Sequence, residues 1–101
     1  MLDIRMDIPH FRVSIQGHAG YGPVGADIVC AGASMLAATL ARALGGIEGY
    51  RYIDDGDAVE ISCAPSVGQI NRVLTMMDVV DGGFGLLAGT YPNHVKYKKI
   101  A

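Results

Sequence analysis

The residues best suited to chemistry are a histidine and a cysteine on either side of a glycine-rich loop. His18 follows a predicted strand, and Cys30 lies twelve positions later in the first turn of a predicted helix. A thiol becomes a useful nucleophile only as a thiolate, which a helix N-terminus and a neighbouring imidazole both stabilise. The spacing predicts Cys30 as nucleophile and His18 as base, with backbone N–H groups at the helix start polarising a carbonyl substrate.

Each of these residues also has a purely structural interpretation. Cys30 also suits a packed position in an alanine-rich helix, since free cysteines are often buried, and His18 also suits a strand end bonded to a carbonyl. Asp27 is expected either as the helix N-cap or as a third member that orients His18. Ser34, one turn beyond Cys30, either donates to sulfur or substrate, or bonds back to its own helix.

The loop before the helix is expected to form a flap over a bound peptide, or else a poorly ordered surface segment. Its glycines are Gly17, Gly20, Gly22 and Gly25. Two other histidines, His10 and His94, have no nucleophile beside them in the sequence and are expected on the surface. Cys63 alternates with apolar residues and is expected in the core.

Hydrophobic periodicity predicts four strands, two helices and a final edge strand. The strands cover 3–8, 11–16, 50–53 and 58–63, the helices 27–44 and from 70 to before Pro92, and the edge strand 95–100. Glycines at 82, 83 and 85 are expected to bend the second helix. Hairpin-linked strands predict a two-layer α+β fold, ββαββα, with an antiparallel sheet and both helices on one face.

Composition indicates one domain, residues 1–101, and excludes several classes of function. The net charge is −2 with 18% charged residues and no basic stripe, so no nucleic-acid binding is expected. No signal peptide or membrane-spanning stretch is expected. Two cysteines without metal-ligand spacing predict no metal site and a reducing, cytoplasmic location. No cofactor is expected. A hydrophobic fraction of 50% suggests a partner subunit.

Two segments of the chain resemble the ribosomal-processing cysteine protease (Prp) family. They are Gly17-His18-Ala19 and Gly25-Ala26-Asp27-Ile28-Val29-Cys30-Ala31-Gly32-Ala33-Ser34. The resemblance implies a cytoplasmic bacterial homodimer without cofactor, with Cys30 as nucleophile, His18 as base, and Asp27 and Ser34 in supporting positions. It also implies a substrate, because the family removes the N-terminal extension of the large-subunit ribosomal protein L-twenty-seven.

Two alternatives remain open beside that assignment. Some members of the family process phage capsid or scaffold proteins, so the same chemistry on another substrate is one alternative. A non-catalytic, dimeric peptide-binding assembly factor is the other. The sequence departs from the family pattern in a shortened first hairpin around Pro9 and in Gly32, where a bulkier residue is common, and both changes bear on the substrate groove.

Overall fold

The computed structural model describes residues 1–101 and consists of a five-stranded sheet with two long helices. The strands are β1 (Leu2–Asp7), β2 (Arg12–Gln16), β3 (Arg51–Asp54), β4 (Ala58–Ser62) and β5 (Val95–Ile100). The helices are α1 (Ile28–Leu44) and α2 (Ile70–Thr90), the latter preceded by a 3-10 turn over Val67–Gln69. The predicted order of elements, including the final strand, is confirmed.

The sheet is mixed, which corrects the expectation of an antiparallel sheet. Its strand order is β3-β4-β2-β1-β5. The first three pairings are antiparallel, whereas β5 lies parallel to β1, with Val95 opposite Leu2. The reason is the connection: α2 carries the chain back along the sheet after β4, so the next strand must run in the same direction as β4.

One face of the sheet forms the core and the other faces solvent. Ile4, Met6 and Val13 are at most 1% exposed, while the alternating residues Arg5 and Arg12 point to the opposite, exposed side. Both helices cover the buried face and complete a single hydrophobic core of 20 residues. The predicted two-layer arrangement with helices on one face is confirmed.

Glycines allow the two helices to approach each other closely. A Cβ at Gly83 would lie 2.5 Å from Leu36 Cδ2, and one at Gly32 would lie 3.3 Å from Leu87 Cδ1. Small residues at a crossing let helix backbones pack closely. Gly83 of α2 therefore serves the contact with α1, and the helix continues without interruption to Thr90.

The segment Val67–Thr90 is long and apolar enough to cross a membrane by length and composition, whereas no membrane-spanning stretch was expected from the sequence. In this fold α2 contributes four buried residues to the core: Val73, Met77, Val80 and Phe84. Packing against α1 and the sheet accounts for these four residues, whereas Val79 and Leu86 of the same helix remain 72% and 75% exposed.

Candidate active site

Asp27 determines where α1 begins and so fixes the position of Cys30. Its Oδ1 accepts hydrogen bonds from the N–H groups of Val29 at 2.9 Å and Cys30 at 3.0 Å. This is the N-cap predicted from the sequence. Cys30 is the third residue of the helix and is half-buried, in the turn where the helix dipole favours an anion.

The second oxygen of Asp27 holds the loop that precedes the helix. Asp27 Oδ2 accepts from the N–H groups of Tyr21 at 2.9 Å and Gly22 at 3.1 Å. Burial of the carboxylate acts to raise the pKa of Asp27, but the four backbone hydrogen bonds outweigh it and hold the pKa below 3.8. Asp27 makes no hydrogen bond to His18, so the alternative role of orienting the imidazole is not seen.

The same capping bonds occupy the backbone donors that were expected to polarise a substrate carbonyl. The N–H groups of Val29 and Cys30 bind the Asp27 side chain, and that of Ala31 binds the Asp27 carbonyl at 3.0 Å. The donor that does reach the sulfur comes from the loop: Ala19 N–H donates to Cys30 Sγ at 3.3 Å. A thiolate accepts such a bond more strongly than a thiol does.

His18 lies beside Cys30 but is paired with another residue at rest. Its Nε2 is 3.5 Å from Asp57 Oδ1, in the turn between β3 and β4, and its side chain is 59% exposed. No hydrogen bond joins His18 to Cys30 in this conformation. An exposed imidazole can rotate, and catalytic contacts often close only when substrate binds.

Two cavities meet at Cys30, and both are lined by His18 and Ser34 as well. The larger, about 440 Å³, extends beneath the loop to Val24 and Gly25. The smaller, about 170 Å³, extends toward the β3–β4 turn. Ser34 is exposed and makes no side-chain hydrogen bond, so its hydroxyl is available to a ligand. The sulfur is thus open to a molecule lying across both cavities.

The loop conformation requires glycine at three of the four predicted positions. Gly17, Gly20 and Gly25 have φ values of +83°, +67° and +86°, a region that L-residues rarely adopt. Gly22 packs against the turn instead, since a Cβ there would lie 3.2 Å from Ala26 O. The loop tip is open to solvent, with Val24 95% exposed.

His94 belongs to this site, contrary to its assignment as a surface residue. Its Nδ1 lies 2.9 Å from Ala19 O, and its ring meets the edge of Tyr21 at a centroid distance of 5.2 Å. Tyr91 contacts Tyr21 from another side, also at 5.2 Å. Nothing in the sequence signals this, because 75 positions separate His94 from Ala19.

The remaining predicted residues lie apart from the site. His10 pairs with Asp7 at 2.9 Å, at the opposite end of β2 from His18. Cys63 is buried in the core as predicted, and burial raises the pKa of its thiol. No group of three His, Cys, Asp or Glu side chains is arranged to hold a metal ion.

Comparison with known proteins identifies the family. The sequence pattern of the cysteine protease Prp family matches residues 4–96. The chain belongs to this family. As a member of the Prp family it is a cysteine protease.

Solved structures share the fold of this Prp-family chain along nearly its whole length. An essential ribosomal processing protease Prp from Staphylococcus aureus, bound to a covalently linked product peptide, is 24% identical with a TM-score of 0.74; the match covers 98% of this chain and 99% of that one. SMU.848 from Streptococcus mutans is 25% identical with a TM-score of 0.70, covering 98% and 91%. The S. aureus protease with a substrate peptide is 22% identical with a TM-score of 0.70, covering 97% and 96%. No protein of curated function matches the chain in sequence.

Proposed function

We propose that this chain is an endopeptidase that removes the N-terminal extension of the large-subunit ribosomal protein L-twenty-seven through a Cys30/His18 dyad. The main support for this proposal is the environment of Cys30 Sγ. The sulfur lies in the first turn of α1, accepts the Ala19 N–H at 3.3 Å, and opens into cavities that His18 also lines. A solved Prp with a covalently linked product peptide supports peptide binding of this kind.

The reaction proceeds through a covalent acyl-enzyme. His18 takes the proton of the Cys30 thiol, and the thiolate attacks the carbonyl carbon of the scissile peptide bond. The C–N bond then breaks, the departing amine takes the proton from His18, and a thioester remains on Cys30. His18 next removes a proton from water, whose oxygen attacks the thioester and releases the carboxylate product while the sulfur regains a proton.

Asp57 contributes to this cycle through its contact with His18. Its carboxylate approaches Nε2, which leaves Nδ1 as the ring nitrogen available to Cys30. An acidic partner also stabilises the imidazolium that forms when the thiol is deprotonated. Both side chains are solvent-exposed, so the contact guides the ring without locking it.

The test is mass spectrometry of L-twenty-seven carrying its extension, after incubation with four proteins. The wild type and the control Cys63→Ala, which lacks only the buried thiol, are expected to cleave at the same site. Cys30→Ala and His18→Ala are expected to leave the substrate intact. Cleavage by Cys30→Ala at the wild-type rate would refute the dyad. An uncleaved substrate with a Cys30 unreactive toward mild alkylating agents would instead favour a peptide-binding assembly factor.

A homodimer is the second part of the proposal, supported by the outer face of the helix layer. A groove of about 410 Å³ and a smaller one of about 200 Å³ follow the α1–α2 seam, and no charged residue lines either of them. Met35, Val79 and Leu86 are exposed there at 68%, 72% and 75%. A second copy can cover such a face without bringing like charges together.

Light scattering after size exclusion tests the dimer with one variant and one control. Leu86→Glu, which introduces a charge on the seam, is expected to be monomeric at a concentration where the wild type is dimeric. Val67→Glu, at a 90% exposed position off the seam, is expected to leave the dimer unchanged. A wild type that is still monomeric at about 100 µM would refute this part, because that concentration is well above the dissociation constants of standard-size interfaces.

We also propose a cytoplasmic location, since the two free cysteines suit a reducing compartment.

A further inference from the structure

We infer that His94 is a positioning residue of the catalytic centre, which holds the main chain of Ala19 and, through it, the N–H group on Cys30 Sγ. The imidazole Nδ1 lies 2.9 Å from Ala19 O. A carbonyl oxygen can only accept, so Nδ1 carries the proton and donates. Ala19 in turn donates its N–H to the sulfur at 3.3 Å. One loop residue is thus bonded on one side to His94 and on the other to the nucleophile.

The backbone of His94 is itself fixed, so its ring approaches the loop from a rigid position. His94 N–H donates to Tyr91 O at 3.0 Å, in the turn that ends α2. Its carbonyl accepts from Leu2 N–H at 2.9 Å, where β1 and β5 begin. Both main-chain groups are satisfied by secondary-structure elements of the core. The turn therefore connects the loop to the sheet and to α2, and it fixes the position of the loop relative to both.

The ring of His94 also packs against the loop beside its hydrogen bond. Its plane is nearly perpendicular to that of Tyr21, at 81°, and Tyr91 packs on Tyr21 at 75°. Edge-to-face contacts at 5.2 Å centroid separation are favourable for aromatic rings. His94 therefore holds the loop through two separable interactions, a polar one to Ala19 and an aromatic one to Tyr21.

Loss of the polar interaction has a direct consequence for the nucleophile. Ala19 is only 2% exposed, so without His94 its carbonyl oxygen loses its partner in a buried setting. A buried acceptor without a partner is unfavourable, and the main chain shifts to find one. That shift withdraws the N–H from Cys30 Sγ and moves His18, the residue before Ala19. We expect a less stabilised thiolate and a misplaced base.

The inference deepens the proposed function. It relies on that function for the measurement of substrate cleavage, but not for the measurement of Cys30 thiol reactivity.

Three variants separate the polar interaction of His94 from its aromatic interaction. His94→Ala removes both, and His94→Phe keeps an aromatic ring on Tyr21 without a donor. His94→Asn keeps a donor without a ring, since its amide nitrogen is as many bonds from Cα as Nδ1 is. His10→Ala is the matched control, a histidine paired with Asp7 far from the site.

The primary measurement is the rate at which iodoacetamide modifies Cys30 between pH 5 and pH 10, followed by mass spectrometry of the Cys30 peptide. In His94→Ala and His94→Phe, the pH of half-maximal rate is expected to rise by roughly 0.5 to 1 unit, the effect of about one hydrogen bond. Cleavage of the extended ribosomal protein should show kcat reduced roughly tenfold with KM within about twofold. His94→Asn is expected to restore both, and His10→Ala to match the wild type.

Two results would overturn the inference. One is a His94→Ala profile that coincides with that of the wild type while thermal unfolding shows a folded protein. The other is restoration by His94→Phe and not by His94→Asn, which would reduce the residue to a packing role. If the wild type fails to cleave the ribosomal protein but the alkylation profiles shift as stated, the proposed substrate is wrong and the role of His94 stands.

Discussion

The substitution Gly17→Ala, which adds a single methyl group, tests the geometry of the loop at this position. Gly17 has a φ of +83°, and a Cβ at this position would lie 2.7 Å from the carbonyl oxygen of Met1. That carbonyl belongs to the peptide unit whose N–H, on Leu2, donates to His94 O at 2.9 Å. Gly17→Ala must therefore strain the backbone of its own residue and displace a peptide unit bonded at the start of β1.

Gly20→Ala is the matched control for this substitution. Gly20 lies in the same loop at a φ of +67°, and a Cβ there meets nothing within 4 Å. Gly20→Ala therefore loses stability only because alanine is unfavourable in the left-handed region. The net loss is about 1 kcal/mol once the smaller conformational entropy of the unfolded chain is taken into account. Gly17→Ala adds a backbone clash of about 1 to 3 kcal/mol. We expect unfolding free energies lowered by about 1 kcal/mol for Gly20→Ala and about 2 to 4 kcal/mol for Gly17→Ala.

Urea unfolding followed by circular dichroism measures both values. With an m-value of about 1 to 2 kcal/mol/M for a domain of this size, a difference of about 1 to 3 kcal/mol should separate the two midpoints by roughly 0.5 to 3 M at unchanged m. Because Gly17 precedes His18, cleavage activity should also fall further in Gly17→Ala. Equal midpoints for the two variants would show that the contact with Met1 imposes no constraint, and the account of this loop would be wrong.

Three further predictions concern the site carboxylates and the core. Asp57→Asn should lower kcat/KM on the ribosomal substrate by less than about fivefold, because its pair with His18 is exposed; a hundredfold loss would contradict this. Phe84→Ala, at a 0% exposed core position, should reduce the unfolding free energy by about 3 to 5 kcal/mol in urea titrations, whereas Val67→Ala, at a 90% exposed position, should change it by less than about 0.5 kcal/mol. Asp27→Asn should be less stable than the wild type by a constant amount above about pH 5, and the difference should shrink as the pH falls below 3.8, because the native hydrogen bonds depress the pKa of Asp27 and favour folding only while it is ionised. Urea midpoints measured from pH 2.5 to 7 check this, and a gap that widens on acidification would contradict it.

The local structure around the nucleophile can be predicted from residues that are neighbours in the chain. Asp27 ahead of an apolar, alanine-rich run predicts an N-cap, and the cap places Cys30 in the first turn of α1. Alternating apolar residues likewise predict the strands, with each bound within one residue of the structure. These features can be predicted from the sequence because the interactions that create them join residues only a few positions apart.

The groups that surround the sulfur, in contrast, come together through the tertiary fold. The return of the chain through α2 makes β5 parallel to β1, and this brings His94 to Ala19. The antiparallel pairing of β4 with β2 brings the turn containing Asp57 to His18. Because of the same packing, the hydrogen bond to Cys30 Sγ comes from the N–H group of Ala19 and not from the capped amides of the helix. Such contacts depend on the path of the whole chain, and no local pattern of residues encodes a bond across 75 positions.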